Sequence, residues 1–108
     1  MKAMCLQRPG EALAAVEMAM PEVGPRQLLI EVLACGVCRT DLHLIDGELP
    51  DIHFPIVPGH EIVGRVVECG RAARGFAVGA RVGVPWLAST CGYCGYCTTA
   101  RENLCDQA

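Results

Sequence analysis

Four cysteines near the end of the chain constrain its fold more than any other feature. They follow the spacing C-x2-C-x2-C-x7-C and are Cys91, Cys94, Cys97 and Cys105. Each C-x2-C step turns two sulfurs toward one point, and four thiolates with no open position form the ligand set of a structural zinc site. We therefore predict a small zinc lobe over about residues 88–108.

Two other kinds of structure use closely spaced cysteines. Bacterial iron–sulfur proteins carry C-x2-C-x2-C-x3-C-P, whereas the last spacer here has seven residues and Cys105 is not followed by proline. Disulfides are typical of secreted chains, but Met1–Arg8 contains no apolar run of signal-peptide length. We therefore expect reduced thiols, bound metal and a cytoplasmic location.

Composition narrows the class of protein. A chain of 108 residues suits one domain, and 52% apolar but only 5% aromatic residues imply a core of aliphatic side chains. A net charge of −3 without a basic stripe argues against nucleic-acid binding, and no stretch approaches the length of a membrane span. Three further cysteines lie in apolar runs and are predicted to be small buried residues: Cys5, Cys35 and Cys69.

The apolar pattern predicts short strands over residues 2–7, 12–18, 27–35, 62–70 and 79–84. Residues 27–35 are apolar on both faces, which predicts a central strand, and Gly64 predicts a bulge or a close approach. Residues 38–45 lack alternation and predict a short helix, and residues 46–59 hold three prolines and two glycines and predict a loop. The expected fold is mainly β, a barrel or sandwich with one short helix.

Two polar clusters interrupt this pattern where strands meet loops, namely Cys38–His43 and Pro58–Glu61. Cysteine, histidine and carboxylate side chains brought together there are suited to a second zinc with an open position. Cys38 would lie at the start of the predicted helix, where the helix dipole favours a thiolate. Spacing alone makes this site a weaker prediction than the lobe, because isolated cysteines and histidines are more often structural.

Taken together, Gly36–His43, Pro58–Glu61 and the four-cysteine lobe resemble the zinc-dependent alcohol dehydrogenases of the medium-chain dehydrogenase/reductase family. The resemblance covers essentially the whole chain. It implies a GroES-like, partly open β-barrel that forms the N-terminal part of a catalytic domain. It also implies zinc and NAD or NADP as cofactors, a small alcohol or aldehyde as substrate, and a homo-oligomer in the complete enzyme.

The resemblance implies metal-binding roles. Cys38 and His60 match the first two protein ligands of a catalytic zinc, and Glu61 matches an acidic neighbour that can approach or ligate that zinc. Asp41 matches a carboxylate that orients the ligand histidine, in keeping with the general hydrogen bonding of metal-bound histidines.

The resemblance also implies roles in proton transfer and binding. Thr40 matches the hydroxyl residue that contacts the substrate alcohol, and His43 matches the end of a proton relay to solvent. Arg39 matches a residue that binds the cofactor pyrophosphate, and Leu49 and Trp86 match positions in the substrate pocket. The alternatives without a functional role are that His43 is a surface residue, that Arg39 is a solvated charge and that Trp86 is a core residue. Leu49 is smaller than the tryptophan of some ethanol-preferring relatives, which argues against a strict ethanol preference.

The resemblance covers only the first part of such an enzyme. Residues 1–108 contain no G-x-G-x-x-G phosphate turn, so we expect the nucleotide-binding Rossmann domain and the third ligand of the catalytic zinc to be absent from them. The chain is then a catalytic-domain fragment that is inactive alone. The alternative is a stand-alone zinc-binding GroES-like module that acts by interaction. Thr40, Asp41 and His43 favour the enzyme, because an interaction module needs no proton relay.

Overall fold

The chain folds into short strands and one short helix. The computed structural model describes residues 1–87 and 89–108, so Ala88, the first residue of the predicted lobe, lies outside the described residues. The strands are β1 (Lys2–Cys5), β2 (Ala14–Glu17), β3 (Leu28–Gly36), β4 (Glu61–Cys69) and β5 (Arg81–Val84). Helix α1 spans Arg39–Asp46, and the lobe contains two 3-10 turns at Cys97–Thr99 and Glu102–Leu104. The prediction of a mainly β fold with one short helix is confirmed.

The strands form two open antiparallel sheets rather than one closed barrel. One sheet is the hairpin β1–β2, and the other has the order β3–β4–β5. The prediction that residues 27–35 form a central strand is wrong, because β4 occupies the centre and the outer edge of β3 pairs with no strand in the described part of the chain. The two-sided apolar pattern of β3 therefore reflects exposed residues such as Val32 and Leu33, which are 57% and 48% accessible.

The core of the chain is small. Leu6 and Val66 are fully buried, and Leu6 forms an isolated bridge with Ile56 that joins the hairpin to the long loop before β4. The radius of gyration is 15.4 Å, whereas a compact chain of this length has a radius of about 13 Å. Much apolar surface therefore remains exposed.

The three cysteines outside the two clusters differ in burial. Cys5 is buried, as predicted, and Cys69 is partly buried. The prediction is wrong for Cys35, which is exposed because it lies near the end of the edge strand β3.

Both ends of α1 are determined by local chemistry. Cys38 is its N-cap, with an extended backbone at φ −112° and ψ 172°. Gly47 ends the helix in the left-handed conformation at φ +76°, which glycine adopts without steric cost. The N–H of Gly10 donates to the carbonyl of Ile45 at 2.6 Å, so the last turn is also tied to the loop after β1. The predicted helix is confirmed, displaced by one residue.

Gly64 permits a close approach between β3 and β4, as the sequence predicts. The β3–β4 register shifts between Val32 and Ala34, opposite Gly64 and Val63. A Cβ at position 64 would lie 2.2 Å from Cγ2 of Ile30 and 2.7 Å from the carbonyl oxygen of Glu31. Any side chain there would force the strands apart.

The variant Gly64→Ala should therefore destabilise the chain, by about 1–3 kcal/mol as is typical of overpacking. Urea unfolding followed by circular dichroism measures this difference. Gly83→Ala is a matched control, because the nearest atom to a Cβ at that strand position is 4.0 Å away. Equal losses of stability in the two variants would contradict the close approach.

We also expect the isolated chain to self-associate, because the outer edge of β3 pairs with no strand among the described residues and β3 exposes apolar side chains. Sedimentation velocity across a concentration series measures the association, and Leu33→Lys should weaken it. Lys2→Arg is the control: it conserves the charge of an exposed residue in β1, away from the β3 edge, and should leave the association unchanged. A clean monomer at high concentration would be inconsistent with the expectation.

Candidate metal centres

The four cysteines of the lobe converge on one point. One sulfur from each of Cys91, Cys94, Cys97 and Cys105 lies within 4.8 Å of the others. The Sγ atoms of Cys94 and Cys97 are 3.5 Å apart, and those of Cys91 and Cys97 are 3.8 Å apart. Zinc–sulfur bonds of about 2.3 Å in a tetrahedron separate the sulfurs by about 3.8 Å. The lobe therefore has the donors and the dimensions of a zinc site.

Backbone N–H groups point at these sulfurs. The N–H of Cys94 donates to Sγ of Cys91 at 3.3 Å, and the N–H of Cys97 donates to Sγ of Cys94 at 3.5 Å. The N–H of Gln107 donates to Sγ of Cys105 at 3.4 Å. Hydrogen bonds to a charged thiolate favour that form, so the fold of the lobe supports metal ligands.

The thiols of the lobe differ in acidity when no metal is bound. The backbone hydrogen bond from Cys97 is the main cause that lowers the pKa of Cys94. Partial burial raises the pKa of Cys97 to about 11. At neutral pH the metal-free lobe therefore retains a proton on Cys97 that an incoming metal must displace.

A second cluster joins the end of β3 to the start of β4. Sγ of Cys38 lies 3.1 Å from Nε2 of His60, and Nδ1 of His60 lies 3.4 Å from Oδ1 of Asp41. One side-chain atom of each of the three residues lies within 4.8 Å of the others. A histidine whose second nitrogen faces a carboxylate has the usual arrangement of a metal ligand.

The helix N-terminus holds Cys38 and Asp41 in place. The N–H of Cys38 donates to Oδ2 of Asp41 at 2.9 Å, and the N–H of Thr40 donates to Sγ of Cys38 at 3.2 Å. Sγ of Cys38 also accepts from the N–H of Asp41, and this bond and the bond from the Cys38 N–H to Oδ2 of Asp41 together form a capping box. Hydrogen bonds from the side chain and then the backbone of Thr40 are the main causes that lower the pKa of Cys38. The cluster therefore favours a thiolate at Cys38.

A cleft of about 230 Å³ opens beside this cluster. Thr40, Asp41 and His60 form its polar side, and its other walls are mainly apolar: Leu44, Leu49, Ile52, Ile56, Val57, Pro58, Gly59 and Trp86. The ring of Trp86 meets the ring of His60 edge to face, with centroids 4.8 Å apart. Trp86 is 64% accessible, so it is not a core residue.

Three of the residues singled out from sequence lie outside both the Cys38–Asp41–His60 cluster and the lining of the cleft. Glu61 is exposed at the start of β4, with its carboxylate over Gly36, where an added Cβ would lie 2.7 Å from Oε2. Arg39 is exposed in the first turn of α1. His43 lies in the last turn, and its Nδ1 contacts the carboxylate of Glu48. Their roles stay predictions.

Sequence reasoning did not identify Glu48 or the loop residues of the cleft. Ile52 and Ile56 lie in a stretch whose sequence predicts only a loop. Their place in the cleft depends on the bridge between Leu6 and Ile56. A local signal for the contact between Glu48 and His43 does exist in the sequence. Glu48 directly follows Gly47, and a glycine that ends a helix commonly turns the next residue back over the last helical turn.

Comparison with known proteins now identifies the family. Residues 24–108 match the model of the alcohol dehydrogenase GroES-like domain. The chain belongs to this family. The described helices include none that is long and apolar enough to cross a bilayer.

Individual relatives of this GroES-like chain are similar over nearly its whole length. A probable alcohol dehydrogenase AdhA of Mycobacterium tuberculosis is 47% identical over 100% of the chain, which covers 34% of that relative. The structure of CAD from Helicobacter pylori complexed with NADP(H) superposes with a TM-score of 0.87 at 31% identity, over 97% of this chain and 30% of the other. Zinc dependent alcohol dehydrogenase 2 from Streptococcus pneumonia superposes with a TM-score of 0.85 at 28% identity, over 97% and 30%. The chain spans about a third of the length of the curated relatives it matches.

Zinc uptake by the lobe should release protons and tighten as pH rises toward about 11, because zinc displaces the proton that Cys97 retains. Calorimetric titration in buffers of different ionisation enthalpy counts these protons. The measurement is made on Cys38→Ser, which disables the second cluster, under reducing conditions. Cys69→Ser, added to that background, should change nothing. A zinc affinity that does not change between about pH 6 and pH 9 would contradict a site made of thiols.

Proposed function

We propose that this chain is the N-terminal part of a zinc-dependent alcohol dehydrogenase, which oxidises a primary or secondary alcohol to an aldehyde or ketone with NAD or NADP. The observation that carries the proposal is the convergence of Cys38 and His60, backed by Asp41, beside a mainly apolar cleft that His60 and Asp41 line. Two protein ligands are fewer than the three of catalytic zinc sites. The remainder of the enzyme would supply the third ligand and the cofactor domain.

The two clusters have different donor sets and would serve different purposes. Cys91, Cys94, Cys97 and Cys105 would hold a structural zinc, because four sulfurs leave no position open. Cys38 and His60 would hold a catalytic zinc, with Glu61 as an acidic neighbour. When bound there, the metal supplies Lewis acidity that lowers the pKa of an alcohol hydroxyl.

The residues of the chain would position the substrate and move its proton. Thr40 lies in the first turn of α1 and lines the cleft, so its hydroxyl can contact the alcohol. His43 follows one helical turn later, on the same side of the helix, and is partly exposed to solvent. Together they provide a route for the alcohol proton from Thr40 to His43 and then to water. Asp41 keeps the ring of His60 oriented throughout.

The shape of the cleft supports a small alcohol with an apolar body. Leu49 and Trp86 contribute hydrocarbon and ring surface to the lining of the cleft. Leu49 leaves more room than a tryptophan would, so we do not expect a restriction to ethanol. Arg39, exposed at the helix start, would bind the cofactor pyrophosphate.

The remaining parts of the proposal concern the whole enzyme. The NADP(H) complex of the Helicobacter pylori structure supports a nicotinamide cofactor. The complete enzyme would be a cytoplasmic homo-oligomer whose partner is its small-molecule substrate, not a nucleic acid or a membrane. A stand-alone interaction module is less well supported, because Thr40 and the oriented His60 share one cleft.

A chimera tests the proposal: residues 1–108 replace the matching third of the Mycobacterium tuberculosis relative. We expect the chimera to oxidise alcohols with NAD or NADP and the isolated chain to show no turnover above background. Thr40→Val should lower kcat by about a hundredfold, since general acid–base groups contribute at least this much. Steady-state kinetics over a panel of primary and secondary alcohols measures both effects.

Thr98→Val is the control, because Thr98 is exposed and its hydroxyl donates to the carbonyl of Cys94 in the lobe. It should retain the activity of the parent chimera. A folded, zinc-loaded chimera without turnover of any alcohol in the panel would refute the proposed function, as would full activity in Thr40→Val.

A further inference from the structure

We propose that Glu48 is a positioning residue for His43: its carboxylate holds the proton on Nδ1 and leaves Nε2 as the nitrogen that accepts the substrate proton. The catalytic role of Glu48 rests on the proposed alcohol oxidation. The contact between Nδ1 of His43 and Oε2 of Glu48, and the tautomer that it selects, do not depend on that function. Glu48 would act through His43 and need not touch the substrate.

The end of α1 places Glu48 against His43. Gly47 takes the left-handed conformation at φ +76°, and its N–H donates to the carbonyl of Leu44 at 3.2 Å. The N–H of Glu48 then donates to the carbonyl of His43 at 2.9 Å. This is the hydrogen-bonded reversal that commonly ends helices. Glu48 therefore contacts His43 twice, once through the main chain and once through the carboxylate.

The reversal is packed rather than free in solvent. A Cβ at Gly47 would lie 2.7 Å from Cβ of Pro9, so the turn rests against the loop after β1. Gly10 anchors the same loop to the carbonyl of Ile45. The carboxylate of Glu48 consequently starts from a fixed backbone position, which limits the orientations in which it can meet the ring of His43.

The contact determines which ring nitrogen can accept a proton. A neutral imidazole carries one N–H donor and one acceptor. A carboxylate only accepts, so Nδ1 of His43 must be the donor and Nε2 the acceptor. The side chains of His43 and Glu48 are 37% and 58% accessible, and exposed pairs of this kind contribute little to folding.

The proton transfer balances with these two residues. For the transfer, the Thr40 hydroxyl would rotate from Sγ of Cys38 toward His43. The alcohol then gives its proton to the oxygen of Thr40 while the hydroxyl proton of Thr40 passes to Nε2 of His43. The resulting imidazolium keeps its Nδ1 proton on Glu48, whose negative charge stabilises it. Nε2 then releases its proton to water, and both side chains return to their starting state. A carboxylate that orients a catalytic histidine and stabilises its charged form is well established in serine hydrolases.

Nitrogen-15 NMR of the zinc-loaded chain of residues 1–108 tests the tautomer at a pH where the ring is neutral. We expect the Nδ1–H tautomer of His43 to dominate in the parent chain and to be lost in Glu48→Ala. Glu48→Gln should retain it, because an amide oxygen can also accept the hydrogen bond. Asp46→Ala is the control: it removes an exposed carboxylate from the same helix end and should leave the tautomer unchanged. A dominant Nε2–H tautomer in the parent chain would overturn the inference.

The steady-state kinetics of the chimera provides a second test. If Glu48 had a purely structural role, its substitution would not change kcat selectively. Glu48→Ala should lower kcat by about tenfold, part of the effect of the whole relay, while KM changes less than twofold; Glu48→Gln should fall between Glu48→Ala and the parent. Unchanged kcat in Glu48→Ala of an active chimera would overturn the inference. If the parent chimera is inactive but the NMR shows the Nδ1–H tautomer, the proposed function fails while the assignment of the pair stands.

Discussion

The carboxylate of Asp41 is the contact on which the site depends. One oxygen accepts from the N–H of Cys38 and so begins α1; the other faces Nδ1 of His60. Asp41 is only 6% accessible, and its buried charge is met by polar hydrogens on both sides. A single side chain thus joins the end of β3, the first turn of the helix and the loop before β4, and directs a sulfur and a nitrogen toward the same point.

The rest of the chain supplies little core to hold this arrangement. Leu6 and Val66 are fully buried, whereas residues 89–108 bury only Cys105. A segment with so little apolar burial cannot offset the entropy of ordering its backbone by the hydrophobic effect. Metal ligation by four thiolates is the interaction available to the lobe, and structural zinc sites contribute folding free energy directly.

The sequence predicted the features that follow from local chemistry. Cysteine spacing located the lobe, and loss of alternation after Gly36 located α1. Sequence pattern could not place β3 at a sheet edge, since a two-sided apolar strand reads the same whether its neighbour is present or not, and Cys35 was misjudged for that reason. The partner of His43 was also missed, because the contact with Glu48 depends on the reversal at Gly47 rather than on a motif. The two polar clusters alone gave only a weak prediction that Cys38 and His60 pair, because the residues are distant in sequence, and the family resemblance was needed to strengthen it.

Metal content, measured by elemental analysis of protein purified under reducing conditions, tests most directly whether these side chains are metal ligands. Four sulfurs in the lobe and the Cys38–His60 pair predict zinc as the metal. Zinc at about one atom per chain corresponds to a filled lobe, and about two to an additional ion at Cys38 and His60. Iron with little zinc, or protein without metal, would contradict the assignment of the cysteine lobe as a zinc site.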